Sequence, residues 1–341
     1  MGSWHTAGMR LGVIPTLAVS GLLIAACGGD DTAAPDTTQA APATTAASVA
    51  TTVPTTTAAP TTTAAPAAPL PLVVVTYSVL GAVVEPLLDG VAEVKVLIPN
   101  GQDPHAFAPS AKDVEAMSSS AMVVANGLAL EEGLEDVLDR LEGEGVPVFR
   151  VTDHVTLVEL GAKDDHDHGD DHDHGSEDPH VWTDPLAFAE MLPALGARLG
   201  EVLGVDLGSA VATTVADLEA LDAEVGAIMA SVPECTLVTG HDSMQYFARR
   251  YGCEVVGTVI PSLSTGAEAS AGELAELREV ARTTGVKAIF TELGTPATVA
   301  EQVADEVGVP LVELSTHVVP DGGGYAEFVR GLARDIAEAL A

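Results

Sequence analysis

The sequence predicts an α/β protein: two lobes, each with a parallel four-stranded sheet, bridged by a long helix. Short apolar runs alternate with helical patterns from Leu72 to the C-terminus. That alternation buries parallel strands under helices on both faces. Roughly 270 residues follow Pro71, more than one core usually holds, so two lobes are expected. Four of the strand runs precede residue 160 and four follow residue 230, with an Ala/Leu/Glu-rich stretch between them.

The chain begins with a segment that does not belong to this fold. Arg10 precedes an apolar run, Leu11 to Ala26, which ends in Ile24-Ala25-Ala26-Cys27. A basic start, a short apolar core and small residues before a break describe an export signal over residues 1–26. Cysteine at that place resembles a bacterial lipoprotein signal, with Cys27 lipid-modified after cleavage. An ordinary signal with an incidental cysteine is the alternative. The rest of 27–71 is mostly Thr, Ala and Pro and is expected to be a disordered tether. No later segment resembles a transmembrane helix.

Strands are expected at Leu72–Thr76, Val94–Ile98, Ala121–Ala125 and Val148–Val151, then at Thr236–Thr239, Glu254–Thr258, Ala288–Thr291 and Leu311–Leu314. Helical patterns separate them at Tyr77–Leu88, Ala111–Met117, Leu130–Leu141, Ser243–Tyr251, Ala271–Thr284 and Thr298–Val307. A helix near Leu186–Leu203 precedes the stretch Val205–Ala230, which has no interior proline; Asp206 is a candidate N-cap and Ser231 with Pro233 marks the stop. A helix of about 25 residues would extend roughly 37 Å, enough to connect both lobes. Two bundled helices of one lobe are the alternative. The resulting organisation is a first lobe over 72–204, a linking helix over 205–232 and a second lobe over 233–341.

A formal charge of −36 argues against nucleic acid, whose phosphates demand a basic surface, and favours cations. Beyond Cys27 only Cys235 and Cys253 remain. In an exported protein such a pair is a candidate disulfide. Each sits at the start of a predicted strand, so a bond is sterically open; two buried thiols are the alternative.

Histidines carry the functional signal. Between Asp164 and Pro185 the chain reads DDHDHGDDHDHGSEDPHVWTDP. His166, His168, His172 and His174 alternate with aspartate and glycine and have no apolar face to bury, as in a solvated loop. Imidazole is the commonest protein ligand for zinc and its neighbours. The isolated histidines differ in setting: His105, His241 and His317 each follow a strand, and His180 precedes a helix. In open α/β sheets ligands bind beyond the carboxyl ends of the strands, so these four can converge between the lobes. His154 lacks such a context and is read as structural or exposed.

Several segments around these histidines are distinctive: Val-Thr-Tyr-Ser-Val-Leu near residue 78, Asp-Pro-His-Ala-Phe-Ala-Pro-Ser at 103–110, Val-Ala-Asn-Gly-Leu-Ala-Leu-Glu at 124–131 and Asp-Pro-His-Val-Trp-Thr-Asp-Pro at 178–185. Thr-Gly-His-Asp-Ser-Met-Gln-Tyr-Phe-Ala-Arg-Arg-Tyr-Gly at 239–252 and Phe-Thr-Glu at 290–292 continue them. In these segments the sequence resembles the zinc- and manganese-specific solute-binding lipoproteins of bacterial ABC transporters. The resemblance covers Leu72 to the C-terminus and implies one metal ion buried between the lobes, with His105, His180 and His241 as ligands. Where many relatives place an aspartate, this chain has Ser315-Thr316-His317, so His317 is the expected fourth ligand. Water or Glu292 could complete the shell instead; Glu292 is preferred as an acceptor that orients an imidazole.

Neutral imidazoles suit Zn²⁺, whereas manganese prefers carboxylate and water. The resemblance implies a monomeric, extracytoplasmic zinc receptor without enzymatic activity, held to the membrane by lipid and serving an ABC permease with its ATPase subunit. The His-rich tract would add weak accessory sites. A manganese receptor and a surface zinc buffer or adhesin are competing readings. A zinc hydrolase would need an open coordination position and a base beside it, and no HExxH helix or nucleophile elbow is visible.

Overall fold

The computed structural model describes residues 69–160 and 177–341. The signal segment, Cys27, the tether as far as residue 68 and the tract holding His166, His168, His172 and His174 lie outside the described residues.

The first lobe runs β1 (Leu72–Tyr77), α1 (Ser78–Leu87), β2 (Glu93–Ile98), α2 (Ala111–Ser119), β3 (Met122–Ala125), α3 (Glu135–Gly143) and β4 (Val148–Arg150). Its sheet is parallel throughout, in the order β2-β1-β3-β4. Val73, Val74 and Val75 of central β1 are wholly buried, as an unbroken apolar run requires when both faces are covered. Ser110 and Asp113 form a reciprocal capping box that starts α2. The helix expected over Leu130–Leu141 begins late: a short 3₁₀ turn, Glu132–Leu134, leads into α3. The reason lies just upstream, where the buried Glu131 carboxylate turns back to accept the Asn126 N–H at 3.0 Å.

Two long helices carry the chain to the second lobe. α4 (Pro185–Leu203) starts with Asp184 accepting the Leu186 N–H at 2.8 Å and with proline in its first turn, and Gly204 in the left-handed region ends it. α5 (Gly208–Met229) has 22 residues, about 33 Å. It starts later than the expected Val205, with Asp206 accepting the Gly208 N–H at 2.9 Å just outside it.

The second lobe contains β5 (Thr236–Thr239), α6 (Gln245–Tyr251), β6 (Glu254–Thr258), α7 (Ala271–Thr284), β7 (Ile289–Glu292), α8 (Ala297–Val307), β8 (Leu311–Leu314) and α9 (Tyr325–Leu340). Its four strands form two parallel pairs, β5-β6 and β7-β8, with β5 lying beside β7. The ladder hydrogen bonds therefore do not run through all four, unlike the first lobe. α5 packs along both α4 and α9, so it is a bundled member as well as a connector. One continuous core joins β1 through Trp182 and Phe188 to Tyr246, Phe247, Phe290 and Phe328.

Cys235 and Cys253 immediately precede β5 and β6 and are joined by a disulfide, their Cα atoms 4.5 Å apart. The bridge spans 18 residues; a loop of that size is worth about 3 kcal/mol in the chain-entropy account. Replacing both cysteines with serine should lower the unfolding free energy by about that amount, read from urea denaturation. An unchanged midpoint would show that the bridge contributes nothing.

Candidate metal centre

The carboxyl ends of both sets of strands face one centre. His105 is on the loop after β2, His241 follows β5, His317 follows β8, and His180 precedes the short 3₁₀ turn Val181–Thr183 that leads to α4. Their exposures are 7, 0, 2 and 0% for His105, His241, His317 and His180. His180 Nε2 lies 3.3 Å from His105 Nε2 and 3.1 Å from His241 Nε2. One donor atom from each of the three lies within 4.8 Å of the others. A tetrahedral zinc ion with bonds of 2.0–2.1 Å sets neighbouring donors about 3.3 Å apart, so the spacing fits one shared ion.

His317 stands at the margin of this triad. Its ring is nearly parallel to that of His241, with centroids 6.2 Å apart, and its centroid is 6.4 Å from that of His105. Its Nδ1 lies 2.9 Å from the Thr316 hydroxyl, while Nε2 is buried without a hydrogen-bond partner. A buried, unsatisfied ring nitrogen is costly unless something binds it.

The tripeptide Asp-Pro-His builds the same turn twice. Asp178 Oδ1 accepts the His180 N–H at 2.9 Å, and Asp103 Oδ1 accepts the His105 N–H at 3.0 Å. Asp178 Oδ1 also lies 2.7 Å from His180 Nδ1, so one carboxylate fixes both the backbone and the ring and leaves Nε2 facing the centre. The carbonyl of Pro179 between them accepts from the Asn126 amide at 2.8 Å, and Asn126 Oδ1 accepts from the Tyr77 hydroxyl at 3.0 Å. Thus Tyr77 of β1 and Asn126, the residue after β3, hold His180 in place through the backbone.

Glu292, the last residue of β7, sits behind His241. Its Oε1 accepts the His241 N–H at 3.0 Å and lies 3.0 Å from Nδ1, and Oε2 accepts from the Ser243 hydroxyl at 2.7 Å. Gly240 makes room for this approach, since a Cβ there would come within 3.0 Å of Glu292 Cγ. Trp182 fills the floor, with its indole N–H donating to the Thr316 carbonyl at 2.8 Å and its ring 5.2 Å from both the His180 and His317 rings. His154 lies elsewhere, exposed and stacked on Phe149.

Burial pushes His105 and His180 well below the ordinary imidazole range and His317 down to about 3. Burial acts on His241 in the same direction, but the adjacent Glu292 carboxylate outweighs it and raises that ring. Burial works to raise Glu292 as well, yet His241 and its hydrogen bonds hold it below the usual carboxylate range. Asp178 is pushed up to about 7 by burial. Three imidazoles are therefore neutral at physiological pH, with lone pairs ready for a metal ion.

Hydrogen bonds between the lobes close the mouth. Thr265 donates to Asp103 Oδ2 at 2.6 Å, and Ser264 donates to Glu132 Oε1. On the other side, the Asn100 amide donates to the Val319 carbonyl at 2.7 Å and its oxygen accepts the Val319 N–H at 2.8 Å. Asp103, Asp178, Asn126 and Glu132 are not among the site residues expected from the sequence. The repeated Asp before each Pro-His was the available signal for the first two.

Residues 73–339 match the family profile described as zinc-uptake complex component A, periplasmic. The zinc-binding protein TroA of Treponema pallidum is 30% identical over 260 residues, 74% of this chain and 78% of that protein. The manganese-binding lipoprotein MntA of Halalkalibacterium halodurans is 26% identical over 260 residues, covering 75% of this chain and 82% of its own length. The solved structure of the periplasmic zinc-binding protein TroA from Treponema pallidum superposes with a TM-score of 0.70 at 29% identity, covering 80% of this chain and 99% of that one. The two-lobed fold and the matched segments lead to one conclusion: the chain belongs to the periplasmic zinc-uptake component A family.

Proposed function

We propose that this protein is an extracytoplasmic receptor that captures Zn²⁺ and hands it to an ABC permease driven by its ATPase, without chemistry of its own. The observation that carries this reading is the buried convergence of His105, His180 and His241 through their Nε2 atoms. His317, with its free buried Nε2, is the fourth ligand. An all-nitrogen donor set favours zinc over manganese, which prefers oxygen; the zinc-binding name of the relative TroA points the same way. In this reading residues 72–204 and 233–341 are the two lobes around the ion, and 205–232 links them. Cys27 carries the lipid anchor, the Thr/Ala/Pro segment spaces the monomeric body from the membrane, and His166, His168, His172 and His174 bind further zinc weakly.

Chelator-competition titration of the purified chain tests this. One tight zinc equivalent is expected, with manganese bound far more weakly; tighter manganese binding would overturn the reading. Deleting Asp164–Gly175 should remove only weak equivalents. If His317→Ala keeps the parental zinc affinity, water completes the shell instead.

A further inference from the structure

An imidazole that binds a metal through Nε2 carries its proton on Nδ1, and a buried N–H needs an acceptor. Two rings of the triad have a buried carboxylate within 3.0 Å of that nitrogen. Asp178 Oδ1 is 2.7 Å from His180 Nδ1 and Glu292 Oε1 is 3.0 Å from His241 Nδ1, and both carboxylates are buried, with side chains 0 and 2% exposed. His105 differs in distance: its Nδ1, buried and without a hydrogen bond like that of His241, faces its carboxylate, Glu132 Oε1, at 3.9 Å. The Glu132 side chain is 41% exposed, so it has room to turn. The same Oε1 already accepts from the Ser264 hydroxyl of the second lobe.

Resting on the zinc-receptor reading above, we propose that Glu132 is the third acceptor carboxylate of the centre and couples the hold of His105 on the ion to closure of the mouth. A distance of 3.9 Å is too long for a hydrogen bond, and an approach of about 1 Å makes one. Glu132 belongs to the same lobe as His105, and Ser264 steadies it from the opposite lobe. While the mouth is shut, Ser264 holds the carboxylate over His105. When the lobes part, that tie is lost, Glu132 turns to water, and the His105 ring loses the partner that orients it. Asp178 and Glu292 keep their rings aligned in either state, so His105 is the ligand that loosens first.

The test uses the purified chain with Glu132→Ala, Glu132→Gln, Ser264→Ala and the Glu132→Ala/Ser264→Ala pair. Zinc dissociation is followed by capture with a chromogenic chelator, and the His105 ring by ¹⁵N–¹H spectra with and without zinc. Loss of an outer acceptor typically costs 10–100-fold in metal affinity, and Glu132→Ala should show it mainly as faster dissociation. Glu132→Gln, which keeps an acceptor oxygen, should recover part of the loss. Ser264→Ala should cost less, and the paired variant should dissociate no faster than Glu132→Ala, because both act through one hydrogen-bonded chain. In zinc-loaded parent the His105 Nδ1–H should be protected from exchange, and in Glu132→Ala it should not. The metal-free melting temperature should stay at the parental value, as befits a half-exposed side chain. Parental dissociation in Glu132→Ala, full additivity of the pair, or an equal fall in metal-free stability would each overturn the proposal. A parent that binds no zinc at all would instead refute the receptor reading on which it rests.

Discussion

Replacing His180 with alanine is expected to weaken zinc binding by a factor of several hundred. His180 is the central donor of the triad, at 3.3 and 3.1 Å from the other two Nε2 atoms, and it is wholly buried. Structural zinc sites bind with roughly 10–16 kcal/mol. Shared among four ligands, that is about 3 kcal/mol or more each, and every 1.4 kcal/mol is a tenfold change. The substitution also strands the buried Asp178 carboxyl, which loses the ring that faces it at 2.7 Å, and an unpaired buried group adds its own cost. His105→Ala should cost less because that ring lies nearer the mouth and its Nδ1 faces only the half-exposed Glu132, at 3.9 Å. Chelator competition measures both. A His180→Ala protein that binds zinc within tenfold of the parent would remove this residue from the site.

Glu292→Gln is the other large perturbation, and its signature is a change in pH dependence. The carboxylate receives the His241 N–H and the Ser243 hydroxyl and lies beside the His241 ring. Charge-assisted bonds of this kind are worth roughly 1.5–3 kcal/mol. Because Glu292 titrates below its ordinary 4.5 in the folded protein, its contribution is present above pH 4.5 and fades as the pH falls through the folded value. His241 titrates above its ordinary 6.5, so its contribution is complete below pH 6.5 and fades as the pH rises through the folded value. The metal-free parent should therefore exceed the variant in stability most clearly between pH 4.5 and 6.5. Zinc must displace the proton from His241 before binding there, so parental affinity should begin to fall above pH 6.5 as the solution is acidified. In the variant, burial acts on His241 without the opposing carboxylate. Proton competition then moves to lower pH even though affinity at neutral pH drops. Calorimetry in buffers of different ionisation heat counts the protons released; identical pH profiles for parent and variant would contradict this account.

The α/β character was legible because it depends on local pattern. The apolar runs that form β5, β6 and β8 coincide with the observed strands residue for residue, as does the periodic segment that forms α7. Element ends were less legible where a single side-chain hydrogen bond to the backbone decides them. Glu131 delays α3 by reaching back to Asn126, and Asp206 bonds just outside α5 and not within it. No periodicity encodes such bonds. The histidines stood out because three follow strands and each has an unusual residue type for a loop end. Two of their supports did not: Asn126 and Glu132 are ordinary polar residues whose partners lie across the fold, Pro179 being 53 residues from Asn126 and Ser264 132 residues from Glu132. The second lobe's division into two strand pairs was equally hidden, since pairing partners are a property of the assembled sheet.

Trp182 gives the protein an optical signal of its own. The chain has two tryptophans, and this is the sole one among the described residues. Its indole is wedged against the rings of Tyr77, His180 and His317, each centroid 5.2 Å away. Any ion that draws charge from those imidazoles changes the field at the indole, and any parting of the lobes pulls its N–H from the Thr316 carbonyl. Emission from this buried tryptophan thus registers occupancy and opening together, so both can be timed without attaching a dye.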